Sequence, residues 1–180
     1  ISYHNQTVFG IGELLQLLEG YSDPPDYRHA ASGHRFDDLS LEEELPFLGK
    51  TLRIDELFRY PNGRIVALHD TWAFTQRKAT ERSERQLFPG VGHAWLGRGK
   101  AEAQMQVHLD FSGSYGHAHG DMLGITLFSH GAERFSDIGY TWTKQRQWAS
   151  STLAHSTVLV DGQEQSRTTD PATDGELQMF

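Results

Sequence analysis

The sequence predicts an α+β multidomain fragment: a helical piece over residues 1–60, then an incomplete antiparallel β-sheet domain over 61–180. Three observations carry this division. Apolar residues recur at helical spacing near the start of the chain, Pro61-Asn62-Gly63 supplies a turn, and the pattern beyond it alternates with period two.

The elements follow in order. Over residues 6–20, Val8, Ile11, Leu14, Leu15 and Leu18 form a helical stripe that Gly20 ends. Pro24 and Pro25 mark a connection. Residues 40–48 read as a short helix, with Ser40 as N-cap, Glu43 closing a capping box and Pro46 limiting its length. Leu52–Tyr60 reads as a third helical piece. Ile65–Leu68 and Trp72–Thr75 read as short strands. The clearest strand is 101–111. There Ala101, Ala103, Met105, Val107, Leu109 and Phe111 alternate with Glu102, Gln104, Gln106, His108 and Asp110, assigning the first set to a buried face and the second to a wet one. Leu123–Ser129, Glu133–Asp137 and Ser156–Val160 read as further strands. Asp161-Gly162 is a hairpin turn after which only a polar tail and Leu177–Phe180 remain, so the sheet domain is expected to be cut off.

Composition bounds the function. With 37% hydrophobic and 22% charged residues among 180, a packed core is expected and disorder is not. No run approaches the roughly 18 apolar residues of a membrane span. The first residues lack a signal-peptide layout, and Ile1 points to a processed or truncated start. The absence of Cys leaves only His and carboxylates for a transition metal. A net charge of −8 argues against nucleic acid as a partner. Arg77, Lys78, Arg82 and Arg85, and again Lys144 and Arg146, form local basic groups that read mostly as solvated surface.

The chemically informative stretch is Gly113-Ser114-Tyr115-Gly116-His117-Ala118-His119-Gly120-Asp121. In extended backbone, residues two apart face one side, so His117 and His119 can present both imidazoles to one point. Asp137, before Gly139, and His155, opening the next strand, complete a set on neighbouring strands. Two His and a carboxylate form a common zinc set. The ordinary alternative is a pair of loop histidines and a turn-capping Asp. His29, His34, His69, His93, His108 and His130 have no spacing that recruits them, and Asp70 reads as structural.

These residues resemble a known family. Tyr115-Gly116-His117-Ala118-His119-Gly120-Asp121, Asp137-Ile138-Gly139-Tyr140 and Ala154-His155-Ser156-Thr157-Val158-Leu159-Val160-Asp161-Gly162-Gln163 look like successive signature blocks of heparinase II/III-like polysaccharide lyases, over about residues 90–165. Ser156 stands where Asn is usual and Gly120 where Ala is frequent; neither is a proposed ligand. The resemblance implies the end of an (α/α) toroid followed by an antiparallel β-sandwich. It further implies a structural zinc on His119, Asp137 and His155, an active-site histidine at His117, and a tyrosine partner at Tyr3, which stands before the first helix in Tyr3-His4. The implied reaction is β-elimination at a uronic acid of an acidic polysaccharide, and the implied location is periplasmic or secreted in a bacterium.

Tyr140, Trp142, Lys144 and Arg146 are the candidate sugar contacts, with Trp148 and Arg77 behind them; such aromatics are more often core. Two alternatives stand beside this reading. A cupin-like enzyme wants a Glu about four residues after the HxH, where this chain has only Asp121, placed too early. A non-catalytic carbohydrate-binding sandwich would keep the metal and lose the chemistry.

Overall fold

The computed structural model describes residues 2–113, 116–167 and 178, the side chains of Ser2, Tyr3 and Lys50 excepted. The chain divides into two compact units, Ser2–Leu57 and the remainder from Phe58 onward.

In the first unit, α1 (Ser2–Leu18) realises the helical stripe and starts earlier than the spacing predicts. His4 Nε2 lies 3.1 Å from the Thr51 carbonyl, tying α1 to α3 (Leu48–Leu52). After Gly20, in the left-handed region at φ 76°, the chain pairs with itself through Gly20 N to Leu39 O and Leu39 N to Tyr21 O, each 2.8 Å. Ser40 is the N-cap of α2 (Leu41–Glu44), but its side chain makes no cap hydrogen bond, so the expected capping box is not formed. The third expected piece shrinks to α4 (Ile54–Leu57). Among the described residues, no helix is long and apolar enough to cross a membrane.

The second unit is built on a five-stranded antiparallel meander in the order β1-β2-β3-β4-β5. The strands are β1 (Arg85–Phe88), β2 (His93–Arg98), β3 (Met105–Asp110), β4 (Ile125–Ser129) and β5 (Ala132–Phe135). The first two were not foreseen. Residues 101–103 form a 3-10 turn instead of opening β3. Ile65–Leu68 makes one isolated bridge, Ile65 to Arg59, Trp72–Thr75 forms no strand and takes a hydrogen bond from Ile65 N to Thr75 O at 3.1 Å, and Ser156–Val160 contributes one bridge, Val160 to Gln163. The final stretch Leu177–Phe180 lies outside the described residues, Gln178 apart.

The alternation of β3 is real, but its buried face is the opposite one. Gln106, His108 and Asp110 are buried, while Met105, Val107 and Leu109 are partly exposed. Register explains it. His108 pairs with Trp95 on one side and Thr126 on the other, so these three share a face. The segment beginning at Phe58 covers that face: Phe58 packs edge-on against Trp95 at 5.6 Å, and Tyr60 stacks on Phe128 at 6.0 Å. Phe58, Tyr60, Val66 and Trp95 are all nearly inaccessible. Polar β3 side chains thus enter the core among aromatics, where each must find a partner.

Candidate active site and metal centre

The loop from Phe111 to Gly124 joins β3 to β4 and carries the HxH. Asp110 N to Gly124 O (2.9 Å) closes its neck, and Gly120 N to Ser150 O (3.0 Å) ties its far side to the segment after α5 (Arg146–Ala149). A Cβ on Gly120 would stand 2.7 Å from Thr152 Oγ1, so glycine lets the two segments touch. Gln165 clamps the loop, taking a hydrogen bond from Met122 N (2.8 Å) and returning one to Met122 O (2.9 Å). Gly139, at φ 69°, fits against Thr71, and Tyr140 N donates to Thr71 O at 3.0 Å. Four stretches distant in sequence, 69–71, 117–124, 137–140 and 152–165, therefore meet.

At their junction His119, Asp121, Asp137 and His155 bring one ligand atom each within 4.8 Å of the others. His155 Nδ1 is 2.9 Å from Asp137 Oδ2 and 4.0 Å from Asp121 Oδ2, and the His119 and His155 rings are 5.2 Å apart. A tetrahedral ion with bonds of ~2.0–2.1 Å sets its donors ~3.3 Å apart, so the cluster is near that size. His119 Nδ1 and His155 Nε2 are buried without a hydrogen-bond partner among the described residues. His119 holds its other nitrogen, Nε2, 3.0 Å from Asp70 Oδ1. A ligating histidine is typically anchored this way through its second nitrogen. The donor set fits a divalent cation such as zinc. Burial, partly offset by Asp70, lowers the His119 pKa and so favours the neutral ring. For His155, burial works the same way, but the Asp137 hydrogen bond and the nearby carboxylates outweigh it and raise the pKa.

His117 behaves differently from its neighbour. Its side chain is 54% exposed against 0% for His119. The two rings do converge, on a carboxylate: His117 Nδ1 is 3.0 Å from Asp70 Oδ2. Arg146 closes the arrangement with both Nη atoms on Asp70, Nη2 to Oδ2 at 2.7 Å. Burial would raise the Asp70 pKa, but hydrogen bonds from Arg146, His119 and His117 bring it below the usual range. His117 also adopts a left-handed backbone, φ 73°, which a non-glycine residue rarely takes outside constrained sites.

Beneath the site runs a buried ladder of imidazoles and carboxylates. His69 lies between Asp110 (Nε2 to Oδ2, 3.0 Å) and Asp121 (Nδ1 to Oδ1, 3.2 Å). His93 stands 3.5 Å from Asp110 Oδ1 and 3.2 Å from His108 Nε2. For His69, burial is outweighed by the bonds to Asp110 and Asp121, and the pKa rises to about 10. For His93 and His108 burial dominates, lowering them to about 4 and about 3. His69, His93 and Asp110 also bring ligand atoms within 4.8 Å of one another. With His69 held between two carboxylates, a hydrogen-bonded network accounts for that group.

Of the residues singled out by sequence, His119, Asp137 and His155 lie together, and His117 is linked to them through Asp70. His155 follows a 3-10 turn (Thr152–Ala154) and opens no strand, and Asp137 stands two residues beyond β5. Tyr3 is in the first turn of α1, and its side chain is outside the described residues. Tyr140 packs against Trp72 at 4.4 Å and lies under the Arg146 guanidinium at 4.6 Å. Trp142 is 75% exposed, and Lys144 is exposed. Sequence reasoning passed over His69, Asp70, His93, His108 and Asp110, and left Asp121 without a role. Only His69-Asp70, a charged pair directly after the apolar run Ile65–Leu68, offered a signal.

An antiparallel sheet domain with a buried His/Asp cluster and a solvent-facing histidine beside it defines the class. The sequence profile of the family "Heparinase II/III-like, C-terminal" matches residues 80–178, more than half of the chain, and the chain belongs to that family. A crystal structure of heparinase III superposes with a TM-score of 0.60 at 19% identity, covering 90% of this chain and 31% of that one. A mutant of the heparan sulfate lyase HepC from Pedobacter heparinus gives 0.54 at 20% identity, covering 69% and 26%. The chain thus spans less than a third of either protein, and the likeness is one of fold. No curated protein matches it.

Proposed function

We propose that the protein is a polysaccharide lyase that cleaves a uronic-acid-containing acidic polysaccharide by β-elimination. The observation that carries the reading is the solvent-facing His117, its Nδ1 against Asp70 at 3.0 Å, beside a buried cluster suited to a cation. A carboxylate can only accept, so the neutral His117 ring donates from Nδ1 and keeps its lone pair on Nε2. That nitrogen is the base, or, for the other epimer, it carries a proton and donates it in a hydrogen bond that neutralises the uronate.

In the reaction the C5–H bond breaks and its electron pair forms the C4=C5 double bond. The C4–O bond leaves with its pair, and the departing oxygen takes a proton. Tyr3 is the proposed acid, acting as base as well where the epimer requires it. The helical unit is proposed as the closing part of a toroid. Zinc held by His119, Asp137 and His155 would supply structural cross-linking of the loops around His117. Tyr140, Trp142 and Lys144 are the proposed sugar contacts; Arg146 belongs with them by position, though its fork engages Asp70. A polymeric substrate suits a periplasmic or secreted enzyme. Family membership leaves the cupin-like alternative without support.

The test is incubation of the complete protein with alginate, heparan sulfate, hyaluronan or chondroitin, following the ultraviolet absorbance of the unsaturated uronate. Product from the wild type and none from His117→Ala is the expected result. Undiminished product from His117→Ala would refute the assignment, and binding without product would favour a carbohydrate-binding sandwich.

A further inference from the structure

We propose that Asp70 is the positioning residue of this site, one buried carboxylate that orients His117 for proton transfer and His119 for cation ligation together. The proposal rests on the lyase reading above for its kinetic consequence.

A carboxylate offers about four acceptor directions. Here four donors claim them: His117 Nδ1, His119 Nε2 and the two Nη of Arg146. Asp70 itself is only 5% exposed, so water does not compete for these directions. Because each ring must point an N–H at Asp70, each is left with its lone pair on the opposite nitrogen. For His119, a member of the cluster with Asp121, Asp137 and His155, that is Nδ1, buried and without a hydrogen-bond partner among the described residues. For His117 it is Nε2. Exchanging either tautomer would set a lone pair against a carboxylate oxygen.

The plane of Asp70 is fixed in turn. A guanidinium fork matches a carboxylate edge to edge, and the Arg146 guanidinium also rests on the Tyr140 ring. A second tie joins the same residues through the backbone, with Asp70 N donating to His117 O at 3.3 Å. The HxH spacing therefore works by placing two imidazoles on the two oxygens of one anion. Disturbance at the cation site reaches His117 through this shared group.

Asp70→Asn keeps the shape but replaces one acceptor oxygen with a donor. The expected result is a fall in kcat of about 10²–10⁴-fold with KM unchanged, the loss of an oriented acid–base group. Cation affinity should fall about 10–100-fold, read by elemental analysis after dialysis against chelator. Side-chain nitrogen NMR of the wild type should show His117 in its Nδ1–H form and of Asp70→Asn a mixture. The double variant Asp70→Asn/His119→Ala should lose little more kcat than Asp70→Asn alone, since both break one link. Wild-type kcat and cation content in Asp70→Asn, or fully multiplicative losses in the double variant, would overturn the proposal. If Asp70→Asn does not fold, an Nε2–H form of His117 in the wild type overturns it. A wild type that makes no unsaturated product defeats the lyase reading instead, and the NMR and metal measurements still decide the role of Asp70.

Discussion

Acid should destabilise this protein before its carboxylates titrate, because two histidines are buried in the core in neutral form. His93 and His108 have pKa values lowered to about 4 and about 3, chiefly by burial. Each charges in the unfolded chain near its ordinary value of 6.5 but not in the folded one. Over that interval the unfolded state binds more protons, so stability is full above pH 6.5 and falls as pH drops towards 4. From pH 6.5 to 5, above the ordinary range of Asp and Glu, one such histidine costs on the order of 2 kcal/mol. The two are 3.2 Å apart, so their protonation is anticooperative, which keeps both uncharged across this window. His119, also lowered, adds in the same direction. His69 and His155, with raised values, contribute stability that is already complete below pH 6.5 and so add no slope there. The assay is urea denaturation at pH 6.5 and pH 5 with chelator present, for the wild type and for His108→Leu. The variant should lose on the order of 2 kcal/mol less than the wild type between the two pH values. An equal loss in both would show that burial of His108 does not hold it neutral, and the account of the polar core would fail.

Two further outcomes follow from the site. His119→Ala should lose its bound cation while His117→Ala keeps it, by elemental analysis of the purified proteins; equal loss would make His117 a ligand and merge the two roles. Gly139→Ala should destabilise the sheet unit by about 2 kcal/mol or more in thermal or urea unfolding, since the residue is left-handed and a Cβ would stand 2.4 Å from the Thr71 carbonyl; a loss well under about 1 kcal/mol would show that this contact relaxes freely.

Local order was legible where a single element carries its own signal. The stripe from Val8 to Leu18 became α1, and the alternation from Met105 to Asp110 became β3. The strands before it were missed. Arg85–Phe88 and His93–Arg98 are held by pairing, Gln86 with Trp95 and Trp95 with His108, and neither shows a clean period of its own. Ile65–Leu68, read as a strand, is a buried covering segment. An apolar run states that it will be buried and leaves the form of its backbone to its neighbours.

The sequence by itself determined the helix-then-sheet order, the family blocks, and the four residues 117, 119, 137 and 155 around which the site is built. Short-range geometry decides which side chains share a face, and that paired His117 with His119; the family blocks added Asp137 and His155. Only the tertiary structure decided which face of β3 is covered, and so put His108 and Asp110 inside. It alone brought His69 and Asp70 to the HxH loop, 47 residues on from Asp70 to His117. Such partners meet through packing of distant segments against one sheet, and no periodicity along the chain encodes that encounter.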